Sequence, residues 1–154
     1  MNEEKSLPAL SGVLRAKRDR LLELLGSYGS CAIGFSGGLD SSVLAKAALL
    51  ALGEKAVAVT AVGASMATGE LENTRRLAEQ IGIRHEVVNT RELDDPDYRR
   101  NAADRCYFCK TIYAQAIRAV ANRLGLAVIL DGRNLDDLAD HRPGIRAAIE
   151  QNML

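Results

Sequence analysis

The chain has 154 residues, with 20 basic and 20 acidic side chains, a formal net charge of zero, 47% hydrophobic residues and 26% charged ones. That length suits one domain able to bury its own core, and that balance excludes a disordered chain. The basic footprint of a nucleic-acid binder is missing, and two Phe, four Tyr and no Trp leave few rings for stacking bases.

Residues 11–26 predict an amphipathic helix, with Leu14, Leu21, Leu22 and Leu25 at helical spacing and Gly26 as its stop. Residues 31–35 (CAIGF) predict a short apolar strand, and 41–52 an Ala- and Leu-rich helix ended by Gly53. Residues 55–62 (KAVAVTAV) predict a second strand, apolar throughout, as a strand covered on both faces should be. A third helix is expected over 69–81 with Thr68 as its N-cap, and a third strand over 83–88. The polar stretch 89–104 contains Pro96 and reads as a surface loop. Residues 105–124 predict a helix capped by Gly125, 127–130 (AVIL) a fourth strand, and 131–144 an acidic loop. The last ten residues, IRAAIEQNML, read as the start of a helix cut short.

This alternation predicts one α/β domain over 1–154: a Rossmann-like, parallel, twisted sheet of four to five strands with helices on both faces. Ligands of such sheets bind beyond the carboxyl ends of the strands. The topology therefore gathers 36–42, 63–68 and 131–144 at one edge. No apolar run reaches membrane-spanning length, and the start MNEEKSLPALSG lacks the apolar core of a signal peptide. Three cysteines do not make a secreted disulfide framework. The expected compartment is the cytoplasm, with no nucleic-acid or membrane partner; assembly into a homo-oligomer is left open.

The stretch CAIGFSGGLDSSVLAKAALLALG (31–53) carries the main functional signal. Gly37 and Gly38 are expected to take backbone angles that a side chain forbids and to admit a ligand close to the main chain. The next helix is expected to begin at Asp40 or Ser41. Its unpaired N–H groups and positive dipole end then make an anion site, with Ser36, Ser41 and Ser42 adding hydroxyls. The implied ligand is a phosphate or pyrophosphate. Neither G-x-x-x-x-G-K-[ST] nor G-x-G-x-x-G is present here.

Ser36-Gly37-Gly38-Leu39-Asp40-Ser41 resembles the S-G-G-x-D-S loop of the PP-loop ATP pyrophosphatase superfamily. The resemblance implies an adenine nucleotide alpha-hydrolase-like fold and cleavage of ATP between its α- and β-phosphates. The loop grips pyrophosphate while AMP passes to a substrate oxygen as an adenylate. It implies ATP and Mg²⁺ as cofactors, with Ser36 to Ser42 holding the phosphates and Asp40 as catalytic carboxylate and metal ligand. Adenine is expected beside Ala61-Val62-Gly63-Ala64-Ser65, with Gly63 equally readable as an ordinary turn glycine.

Two later motifs, DRCYFCK (104–110) and DGRNLDDLADHRPG (131–144), resemble the LarE family when taken with the glycine loop. This resemblance implies ATP-dependent sulfur insertion into the carboxylate of a pyridinium nucleotide, on the way to a nickel-pincer cofactor. Partners would be ATP or AMP and that small carboxylate substrate. Arg105 and Lys110 are candidates for phosphate contact, Asp131 for the nucleotide, and Asp136 for Mg²⁺ beside Asp40. Asn134 and Asp137 crowd the same edge, and Arg142 and Arg146 are candidates for a phosphate or the substrate carboxylate. Cys106 and Cys109 fit half a zinc site, a redox pair or, with Cys31, part of an iron–sulfur site. Packing at a helix start is the favoured reading.

Members of the family are longer, and their substrate and sulfur-donor half maps beyond Leu154, so it is expected to be absent here, with a fragment, a truncated product and a stand-alone nucleotide domain all left open. ATP binding without complete sulfur transfer is the expectation for this chain. A competing class is a stand-alone ATP- or AMP-binding module without transfer chemistry; a redox protein rests on Cys106 and Cys109 alone.

Overall fold

The computed structural model describes residues 11–64, 66–100, 103, 105–133 and 143–154. Helix α1 (Gly12–Ser27) starts at Ser11, whose hydroxyl accepts from the Leu14 N–H at 3.4 Å. Strand β1 (Cys31–Gly34) leads through the glycine loop into α2 (Leu39–Leu52), which Gly53 ends in a left-handed turn with φ +59°. A single 3₁₀ turn precedes β2 (Ala56–Val62), followed by α3 (Glu70–Ile81) and β3 (Arg84–Asn89). Then come α4 (Pro96–Arg99), α5 (Arg105–Leu124), β4 (Val128–Asp131) and α6 (Pro143–Glu150).

All strand pairs are parallel, in the order β3-β2-β1-β4. Alternation along each strand divides the core in two. Cys31, Ile33, Phe35 and Ala58 face α1, α2 and α3, where Leu25, Ala45, Ala48 and Ala78 are buried. Ala32, Val57, Val59 and Ile129 face α5, meeting Ala114, Ile117, Val120 and Ala121. The sheet is thus covered on both faces, as the alternating pattern requires. Edge strand β3 has only exposed and half-buried positions, and its Glu86 is ion-paired to Arg84 at 2.7 Å and to Arg123 at 3.0 Å. Charge on an edge discourages further strand pairing.

β1 has β2 on one side and β4 on the other. Its outgoing helix α2 covers one face, and α5, which leads into β4, covers the other. The connections diverge at the end of β1, which is where such sheets open a crevice.

Four local expectations are corrected. The N-cap of α3 is Gly69, not Thr68; the Glu70 carboxylate instead accepts from the Ala67 N–H at 2.7 Å. The segment 89–104 is not merely a loop: it holds a 3₁₀ turn (Glu92–Asp94) and α4, whose cap Asp95 accepts from the N–H groups of Asp97 and Tyr98. In α1 only Leu25 is buried and Leu14 is 53% exposed, because the helix docks by its C-terminal half. The last ten residues are helical only as far as Glu150, where α6 ends within the chain. After α6 the chain turns, and Met153 bridges Ile129 in parallel beside β4. The Leu154 N–H donates to the Ile129 carbonyl at 3.0 Å, and Arg118 and Arg133 hold neighbouring carbonyls.

Candidate nucleotide site

The loop from β1 to α2 is built around one left-handed residue. Gly37 has φ +74°, which disfavours any side chain, and a Cβ there would meet Thr74 Cγ2 of α3 at 3.0 Å. Gly38 departs from expectation: its φ of −76° and ψ of 169° are ordinary extended backbone. The helix begins at Leu39, earlier than expected, with Gly38 as N-cap. Among the described residues no side-chain hydrogen bond caps it, and its first turn lines the cleft described below. The hydroxyls hold the turn itself: Ser36 Oγ accepts from the Gly38 N–H at 3.3 Å, and Ser41 Oγ donates to the Gly38 carbonyl at 3.1 Å. The two serine oxygens lie 3.2 Å apart.

Behind the loop, Thr60 of β2 donates its hydroxyl to the Phe35 carbonyl at 2.8 Å, and His85 Nε2 of β3 lies 2.8 Å from the same Thr60 oxygen. Burial, with Arg75 nearby, pushes His85 below the usual imidazole range, against the opposing pull of Glu86. The carbonyl that leads into Ser36 is therefore anchored across three strands.

A cleft of about 660 Å³ opens beyond these strand ends. Ser36, Gly38, Leu39, Asp40 and Ser41 form its floor on the loop side. Ala61 and Gly63 line the β2 side, and Asp131 the β4 side, so three expected segments do converge. Gly37, Ser42 and Arg105 are not in its wall. The Arg105 guanidinium lies 4.5 Å above the Tyr98 ring and donates to the Tyr98 hydroxyl at 2.7 Å, tying α5 to α4. Arg146 pairs with Glu150 at 3.4 Å and stacks on Tyr107. Asp136, Asn134, Asp137 and Arg142 lie outside the described residues.

Sequence reasoning missed several wall residues. Gly132 lies so close to the start of α2 that a Cβ would stand 2.9 Å from the Ser41 nitrogen. Gly34 lets the Tyr113 hydroxyl lie 2.5 Å from where its Cβ would be. Tyr113 is pushed well above the usual phenol range by burial and by Asp131. Glu92, read as part of a polar loop, is buried against Gly63. An adjacent Asp131-Gly132 after a strand is the one signal that marked any of these.

The charges in the wall have a clear sign. Among the described lining residues stand four acids (Asp40, Glu70, Glu92 and Asp131) and one cation, Lys110. The Lys110 ammonium is committed to Asp131 at 2.6 Å, a charge contact outside hydrogen-bond alignment. Cys106 and Cys109 also line the cleft. The cations flanking Cys109 do not lower its pKa as their position suggests. Burial and Glu92 push that thiol up, outweighing Arg105 and Lys110. Cys31, fully buried in β1, is pushed up to about 11 by desolvation. No group of three metal-ligating side chains is present among the described residues.

Residues 19–106, more than half of the chain, match the family model described as NAD synthase. The chain belongs to the NAD synthase family. The glycine loop, Ser36 to Ser41, lies within the matched span. This NAD synthase-family chain is 43% identical over 139 residues to the uncharacterised protein slr1717 of Synechocystis, covering 90% of this chain and 52% of that one. It is 30% identical over 138 residues to the pyridinium-3,5-bisthiocarboxylic acid mononucleotide synthase of Lactiplantibacillus plantarum, covering 89% and 50%. The chain spans about half the length of these curated relatives. Its fold matches the NH3-dependent NAD synthetase of Campylobacter jejuni with a TM-score of 0.68 at 16% identity, over 80% of this chain and 58% of that one.

Proposed function

We propose that this chain is the ATP-binding part of a LarE-like enzyme, which splits ATP to AMP and pyrophosphate and adenylates a substrate carboxylate ahead of sulfur transfer. The observation that carries this reading is the Ser36–Ser41 loop, whose uncapped helix start opens into the cleft where β1, β2 and β4 end. The relative that makes a thiocarboxylic mononucleotide favours a pyridinium nucleotide carboxylate as the acceptor.

In this mechanism the α2 amides receive the β- and γ-phosphates, and the dipole favours the charge that grows on pyrophosphate as it leaves. Gly37 gives the loop its turn, and Ser36 and Ser41 keep it rigid, so the donors are in place before reaction. Ala61 offers backbone to the nucleoside side. The residues present fit Mg²⁺: Asp40 in the first turn of α2, with Asp131 at the end of β4 where Gly132 packs on that turn, would supply the hard oxygens this ion takes alongside phosphate. When bound, Mg²⁺ neutralises charge on the triphosphate. The substrate carboxylate must lie about 3–3.5 Å from the α-phosphorus, in line with the leaving pyrophosphate. Of the three thiols, Cys31 is buried and Cys109 is pushed up by burial and Glu92, which leaves the exposed Cys106 as the accessible thiol of the cleft.

ATP–pyrophosphate exchange tests the reading. Exchange should depend on a pyridinium carboxylate mononucleotide and fall at least tenfold in Ser36→Ala. Release of ADP and phosphate, or exchange indifferent to the loop, would refute it. ATP binding with no exchange for any carboxylate would favour the nucleotide-binding module.

A further inference from the structure

We propose that Glu92 selects the base, accepting a hydrogen bond from the exocyclic 6-amino group of adenine. The inference rests on the ATP reading above and adds a specificity residue to it. Glu92 sits in the 3₁₀ turn after β3 and is only 5% exposed. A carboxylate so deeply buried is normally paired. Its Oε2 has no hydrogen-bond partner among the described residues. The group is also held in place: it lies against Gly63, where any Cβ would collide with the carboxylate. Gly63 thus seats an acid at the end of β2 and not, as its position suggests, the flat face of a ring.

Glu92 lines the same cleft as the glycine loop, on its far side. Neighbouring strands lie about 4.8 Å apart, so the end of β3 is about 10 Å from that of β1. A nucleotide with its phosphates on the α2 amides spans that gap and brings its base to β2 and β3. An ionised carboxylate only accepts hydrogen bonds. The 6-amino group of adenine supplies a donor; the 6-oxo group of hypoxanthine sets an acceptor against a buried charge. Sites built to pair one polar group reject the analogue lacking it strongly.

Calorimetric titration with ATP, ITP and 2′-deoxy-ATP, all with Mg²⁺, tests this on the wild type, Glu92→Gln and Gly63→Ala, each checked for cooperative melting. The wild type should prefer ATP over ITP at least tenfold and take 2′-deoxy-ATP nearly as well as ATP. Glu92→Gln, which presents a donor in the same shape, should bring ATP and ITP within about threefold. Gly63→Ala, which displaces the carboxylate, should also narrow the gap. Equal wild-type affinity for ATP and ITP overturns the inference without any variant. So does a preference untouched by both substitutions, or a Glu92→Gln effect confined to 2′-deoxy-ATP, which would assign the carboxylate to the ribose. Those outcomes leave ATP binding intact; a wild type that binds no triphosphate overturns the ATP reading and this inference with it.

Discussion

Gly132→Ala is the most direct test of how the cleft is built. An added Cβ would stand 2.9 Å from the Ser41 nitrogen, 3.0 Å from its Cα and 3.2 Å from the Asp40 carbonyl carbon. All three are backbone atoms of the first turn of α2, so no flexible side-chain end can move aside. Ordinary contacts lie at about 3.5–4.0 Å, so β4 and α2 must separate by about half an ångström. Overpacking of this kind costs about 1–3 kcal/mol. At about 2–4 °C per kcal/mol for a chain of this size, melting should fall by about 2–12 °C. The methyl group also crowds the Ser41 amide, one of the proposed phosphate donors, and a shift of about 1 Å in such groups costs about a hundredfold. Affinity for Mg·ATP should therefore drop at least tenfold, about 1.4 kcal/mol. Differential scanning fluorimetry and calorimetric titration read the two effects. Gly26→Ala is the control: it lies in α1 with nothing within 4 Å of a Cβ, and should melt at or slightly above the wild type. A Gly132→Ala protein that matches the wild type in both melting and affinity refutes the proposed contact.

Removing Mg²⁺ with EDTA should weaken ATP binding at least tenfold, because among the described residues four acids and one already paired cation line the cleft; Asp40→Asn should shrink that difference, read by the same titration. Stability should also depend on alkaline pH through Cys31. Its folded pKa of about 11 lies above the ordinary thiol value of 9.0, so the unfolded chain loses this proton first. The contribution is complete below about pH 9 and is lost as pH rises through 11. Urea titrations across that window should show a decline on the order of 2 kcal/mol that Cys31→Ala lacks; identical profiles would dismiss the buried thiol as its source.

The elements legible in the sequence were those with strong punctuation. Gly53, Gly82 and Gly125 each take positive φ where a helix was read to end, and α5 runs over the residues its pattern marks. The glycine loop was legible because its chemistry is local: a strand, a turn and a helix start in continuous sequence. Features that depend on distant partners were not. Glu92 looks like any acid in a polar stretch, since hydropathy cannot tell a buried functional charge from a solvated one. Gly132 differs from other turn glycines only through α2, some ninety residues earlier. Met153 pairs through a single residue, too short for any period to show. The Leu14 stripe misled because periodicity marks an apolar face without saying how much of it is covered.

The bonds behind the glycine loop fix where one proton resides. Thr60 has a single hydroxyl hydrogen, and the Phe35 carbonyl takes it. The contact from His85 can then be made only by an N–H, so the neutral imidazole is the Nε2–H tautomer, with its lone pair on Nδ1. The two bonds point the same way, from β3 toward β1, and each polarises the next. Adding a proton to the ring at Nδ1 leaves the Nε2 donor in place. The entry to the nucleotide loop is therefore tied to a histidine whose hydrogen bond survives titration, and acidification changes the charge behind the loop without cutting its anchor.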